Sequence, residues 1–169
     1  IRIVAGGVFN QSGGTLAVKD LLPGGGTFNQ TGSSAIFKID RHWQMGTGSI
    51  FNASAGTVQF TGSGNQSDYA AGTRQFANMI VNAGVNPGFS VAAASVISIN
   101  GNFTNNNTAL TNTINATFIF NGSGNQSIYS AVTGTGATFG HLQISKSSGT
   151  ASLLSNVYVA GNLSVTNGT

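Results

Sequence analysis

The sequence predicts an all-β chain wound as a β-solenoid of short strands, with rungs of roughly 20 residues. Three observations lead there. First, residues that disfavour helix dominate: 25 Gly, 19 Asn and 37 Ser plus Thr, and no window holds a 3.6-residue apolar period. Second, apolar residues recur in short alternating runs bounded by Gly, Asn or Ser, the signature of half-buried strands. Third, the chain repeats itself. Val58-Gln59-Phe60-Thr61-Gly62-Ser63-Gly64-Asn65-Gln66-Ser67 returns sixty residues later as Phe118-Ile119-Phe120-Asn121-Gly122-Ser123-Gly124-Asn125-Gln126-Ser127. A repeat of this length marks stacked units, each burying its apolar face against the next.

Taken in order, the strands are expected at Ile1-Arg2-Ile3, Leu16-Ala17-Val18, Ile36-Phe37-Lys38-Ile39, Val58-Gln59-Phe60, Ile97-Ser98-Ile99, Phe118-Ile119-Phe120, Val157-Tyr158-Val159 and Leu163-Ser164-Val165. Between the early ones, Phe9-Asn10-Gln11-Ser12, Phe28-Asn29-Gln30-Thr31 and Phe51-Asn52-Ala53-Ser54 recur 19 and 23 residues apart. The expected organisation is one domain over 1–169, with irregular rungs at 1–49 and repeat units at 50–109 and 110–169. Eight or so rungs at about 4.8 Å would make a rod on the order of 40 Å. An antiparallel β-sandwich, which also shows short strands with frequent turns, is the competing architecture. The recurring turn residues (Gly62 with Gly122, Asn65 with Asn125) favour the solenoid: Asn side chains can form a ladder and Gly can take a φ > 0 corner.

Composition bounds the function. Forty per cent of residues are apolar, with 11 Phe, which suffices for a core although only 5% are charged. The net charge of +3 comes from scattered residues, so no nucleic-acid partner is expected. No run approaches the roughly 18 apolar residues of a membrane span. There is no Cys, which leaves the chain indifferent to an oxidising compartment. The start at Ile1, without a signal segment, suggests a processed protein or a piece of a longer one.

The aromatic rung Phe51-Asn52 is followed by Gly56-Thr57-Val58-Gln59-Phe60-Thr61-Gly62-Ser63-Gly64-Asn65-Gln66, then by Phe76-Ala77-Asn78-Met79-Ile80-Val81-Asn82 and Gly101-Asn102-Phe103-Thr104. This pattern resembles the tandem repeats of large secreted bacterial surface proteins, often adhesin-like. The likeness covers roughly residues 43–168, opening at Trp43. It implies an extracellular or cell-surface repeat module of β-helical type, and carries no catalytic residues.

The chemistry-bearing residues are few. The acids are Asp20, Asp40 and Asp68. Asp20 and Asp40 lie one expected rung apart, as do Lys19 and Lys38, a spacing that could bring two carboxylates together for glycoside cleavage or calcium. A proton donor and substrate-binding charges are wanting, and Asp40-Arg41-His42 is the only polar cluster. These residues therefore read as charges on an exposed face. His42 and His141 are not spaced as metal ligands, no Ser sits in a nucleophile elbow, and the Gly runs are turns. No catalytic, cofactor-binding or metal residue is expected, and no cofactor. Thr111-Asn112-Thr113 and Thr133-Gly134-Thr135 are too isolated for an ice-binding face. Asn-x-Ser/Thr triplets begin at Asn10, Asn29, Asn52, Asn65, Asn102, Asn106, Asn115, Asn121, Asn125, Asn162 and Asn167, all candidate glycosylation sites. The aromatics read as a stack inside the core rather than a sugar-stacking strip.

A stacked rod exposes unpaired strands at its ends. Ile1, Ile3 and Val4 at one end and Leu163 and Val165 at the other are the candidate subunit-interface residues. The expectation is a structural subunit of an extracellular filament or surface layer, polymerising with itself head to tail by strand pairing. The runner-up is a stalk or binding segment of an adhesin, engaging cell-surface or matrix glycans. A β-helical polysaccharide-cleaving enzyme is the remote third.

Overall fold

Glycine, asparagine and β-branched residues leave this backbone few ways to satisfy its polar groups except by pairing with itself one turn later. That is what a computed structural model of the chain contains. It describes residues 1–62, 66–68, 70–82, 89–91, 94–108, 116–132 and 139–166, with the backbone alone at 66–68 and 89–91. All the regular elements among them are strands, and their ladders are parallel. Paired segments lie about 21 residues apart, so one turn of chain makes one layer. The fold is a β-solenoid, not a sandwich.

The ladders form three faces, visited in turn. Face I holds β1 (Arg2–Val4), the C-terminal ends of β3 (Thr15–Gly24) and β5 (Ile36–Trp43), then β7 (Gln66–Asp68) and β9 (Phe89–Val91). Face II stacks β2 (Val8–Gln11), β4 (Thr27–Gln30), the first halves of β6 (Ile50–Phe60) and β8 (Thr73–Val81), β10 (Val96–Ile99), β12 (Thr117–Phe120), β14 (His141–Ser145) and β16 (Leu163–Thr166). Face III stacks the first halves of β3 and β5, the second halves of β6 and β8, β11 (Phe103–Asn105), β13 (Gln126–Ser130) and β15 (Ala151–Leu153).

Alternate side chains point inward, and the once-per-coil Phe of the sequence becomes an internal stack. Phe9, Phe28 and Phe51 occupy consecutive layers in register, with ring centroids 5.7 and 5.0 Å apart and planes 7° and 11° from parallel. Arg74 takes the next place in that row, 2% exposed, its guanidinium donating to the Ser49 and Ala70 carbonyls. Trp43 packs edge-on against Phe51, Phe60 and Phe76. A second aromatic cluster joins Phe103, Phe118, Phe120 and Phe139.

The sixty-residue repeat does not stack on itself. Three coils from Val58 pass through Met79 and Phe103 to Ile128. Phe118, ten residues earlier, therefore falls on the preceding face. Val58 and Phe60 belong to face III, and Phe118 and Phe120 to face II. What the repeat conserves is a strand-corner-strand solution used on two faces. Its glycine answers a close approach rather than a φ > 0 corner: a Cβ at Gly62 would overlap the Asp40 carbonyl, and one at Gly122 the Asn100 carbonyl. The Asn ladder is real but sits elsewhere. Asn29 donates to Asn10 Oδ1 at 2.9 Å, and Asn52 to Asn29 Oδ1 at 3.5 Å. Asn65 lies outside the described residues, and Asn125 instead accepts from the Thr150 N–H at 3.1 Å.

Candidate functional site

Inward-facing apolar side chains on faces II and III become more exposed toward the two ends of the described stack. Phe28, Phe37 and Ile39 are 0% exposed, whereas their counterparts one layer earlier, Phe9, Leu16 and Val18, are only partly buried. The same comparison holds at the other end of the stack. Ile128 is 0% and Leu142 3% exposed, but Leu153 and Leu163, in register above them, are 56% and 62% exposed. Val165 is 63% exposed and Leu154 likewise. Large apolar side chains are thus left to water at both ends, the usual mark of an interaction surface.

The second of these surfaces is a cleft of about 440 Å³ between Leu142, Ile144, Leu153, Val159, Leu163 and Val165. Lys146 closes its inner corner. Only 3% exposed, its ammonium donates to the Gly122 carbonyl at 2.6 Å, the Gly124 carbonyl at 2.9 Å and Gln126 Oε1 at 2.8 Å. Burial holds its pKa below the ordinary lysine value, because an ammonium loses more hydration than a neutral amine. Gln126 in turn receives the Gly122 N–H and donates to the Ile99 and Gly101 carbonyls. The corner is a fully bonded polar plug beside an apolar opening.

The expected interface residues divide. Ile1 (36% exposed) and Val4 (60%) sit at the first surface, and Leu163 and Val165 at the second. Ile3 does not belong with them: 5% exposed, it points into the core, as strand alternation from Val4 requires. Sequence reading missed Leu153, Leu154 and Lys146. Ala151-Ser152-Leu153 was too short and small to register as a strand. Lys146 carried a usable signal, since it follows Leu142 and Ile144 at the inward parity.

The charged residues do not assemble as their spacing suggested. The register that sets Val18 on Ile39 already carries Asp20 past Asp40, and a bulge between Val18 and Asp20 moves it on beside His42; Lys38 pairs with Ala17 and Gln59 rather than with Lys19. Asp20 instead takes the Arg41 guanidinium through both oxygens, at 2.9 and 2.6 Å. That hydrogen bond, ahead of charge attraction, holds its carboxyl below the usual range. A glycosidase acid needs the opposite shift. Asp68 is described only in its backbone.

Of the candidate glycosylation sites, Asn10, Asn102, Asn106, Asn121, Asn125 and Asn162 are exposed. Asn29 and Asn52 are half-buried, with their amide nitrogens committed to the ladder. Asn65, Asn115 and Asn167 lie outside the described residues, as do Thr111, Thr113, Thr133 and Thr135. Among the described residues no helix is long and apolar enough to cross a membrane. Compared with family models, curated proteins and solved structures, the chain matches none.

Proposed function

We propose that the protein is a structural rod, a subunit of an extracellular filament or surface layer that extends by head-to-tail stacking of coils. The observation that carries this reading is the pair of end surfaces. Both offer free parallel strand edges on face II, β2 at one end and β16 at the other. Both also leave their inward row uncovered. Covering each exposed Leu or Val is worth about 1.5–3 kcal/mol, and a joint that does not close on itself propagates.

A second reading is favoured by one observation. The described coils pair layer on layer through parallel ladders along one continuous polypeptide, and a longer array of such coils needs no joint between copies. That suits the stalk of a larger adhesin, with glycans as its partners.

Electron microscopy of the 169-residue chain at neutral pH separates the two. It should be set beside a Leu163→Lys/Val165→Lys variant and a variant lacking Ile1–Ala5. Fibres that vanish in both variants support the filament. Monomers in all three samples overturn it and leave the stalk.

A further inference from the structure

We infer that the joint between two copies lies on face II in one register, with β16 of one copy against β2 of the next. The inference rests on the filament reading and adds which atoms meet.

Side-chain parity restricts the register. Leu163 and Val165 continue the inward positions of Leu142 and Ile144, as Phe9 and Gln11 begin those of Phe28 and Gln30. A shift by one residue would send Leu163 and Val165 outward. Among the shifts of even parity, one gives both inward residues of each strand an inward partner: Leu163 on Phe9 and Val165 against Gln11, with Ser164 beside Asn10. Phe9 lacks a layer on its outer side, and Leu163 supplies one. Ser164 beside Asn10 also extends the outward hydrogen-bonded row of Asn10, Asn29 and Asn52 by one hydroxyl. A shift of two residues would instead set Val165 on Phe9 and leave Leu163 without an inward partner.

The absence of native Cys makes the test direct. Asn10 and Ser164 are both exposed, and neighbouring strand positions fall within disulfide reach. β2 and β16 stand seven layers apart, about 34 Å, so a bond between them can form only between copies. A chain carrying Asn10→Cys and Ser164→Cys, mildly oxidised, should give a ladder of covalent multimers on a denaturing gel. Asn10→Cys with Asn162→Cys or Thr166→Cys should give about tenfold less.

If a shifted pair dominates while sedimentation still shows polymers, the register is wrong and the filament reading survives. If no variant and no parent chain sediments as a polymer, the filament reading falls and the register with it.

Discussion

Replacing the stacked phenylalanines one at a time should give a graded loss of stability that follows their layer, not their motif. Phe9, Phe28 and Phe51 open nearly identical sequences, so a fold that used the motif as a unit would penalise the three alike. In the solenoid their surroundings differ. Phe51 is 1% exposed and touches Phe28 at 5.0 Å, Trp43 at 5.7 Å and Phe76 at 5.1 Å. Phe51→Ala removes a fully buried ring from a packed site and should cost about 3–5 kcal/mol, with three ring contacts placing it toward the upper end. Phe28, 0% exposed between Phe9, Phe37 and Phe51, belongs in the same range. Phe9 keeps one ring neighbour and is only partly buried, so Phe9→Ala should cost about 1–2 kcal/mol. Urea unfolding at concentrations where the chain is monomeric measures all three. Trp43 fluorescence and far-ultraviolet circular dichroism serve as independent probes, because stacked-coil proteins can lose two-state behaviour. A Phe9→Ala loss equal to that of Phe51→Ala would refute the layer assignment, since both rings would then have to be enclosed on both sides.

Two further outcomes follow from the corners. Gly122→Ala should destabilise by about 4 kcal/mol or more, because its Cβ would overlap the Asn100 carbonyl group, whereas Gly124→Ala, with open space around its Cβ, should stay within about 0.5 kcal/mol in the same urea assay. For Lys146 the sign comes from its depressed pKa: between that value and the unfolded lysine value of 10.5 the unfolded chain binds more protons than the folded one, so stability should rise with pH through this window. Lys146→Met, though destabilised at neutral pH by the carbonyls it leaves unpaired, should lose that rise, as urea midpoints from neutral pH to about 10.5 would show.

The solenoid was legible because its two periods are written in side chains. Leu16-Ala17-Val18, Ile97-Ser98-Ile99 and Phe118-Ile119-Phe120 alternate as strands. The Phe-Asn motifs at Phe9, Phe28 and Phe51 recur at the spacing of one layer, and they do stack. The sixty-residue repeat was legible as a repeat but not as a position. Sequence similarity reports a shared local solution, such as a corner that needs Gly62 or Gly122 to clear a carbonyl one layer below. Which face the solution lands on depends on how many residues the intervening corners consume. Coil lengths run from 19 residues, Val8 to Thr27, to 25, Phe103 to Ile128, and extra residues are taken up at corners and in irregularities within strands. A coil of 21 residues at Val18, rather than 20, was enough to carry Asp20 past Asp40 and leave it in reach of Arg41.

The same reasoning explains why the end surfaces were half seen. Hydrophobicity marks Leu163 and Val165 as inward residues whatever covers them, so their exposure depends on the next layer and not on their identity. Ile3 shows the converse. It is as apolar as its neighbours and as near the edge, yet it is buried, because parity turns it inward where Gly26 leaves room: a Cβ at Gly26 would collide with its side chain. Lys146 is the harder case. A lysine at the inward parity contradicts the binary pattern, and its place in the fold depends on the Gly122 and Gly124 carbonyls and the Gln126 amide oxygen, all contributed by the preceding coil. Such a site becomes readable only when residues 20 to 24 positions apart are considered one above the other, which makes the layer, rather than the linear motif, the unit in which this chain encodes its polar interior.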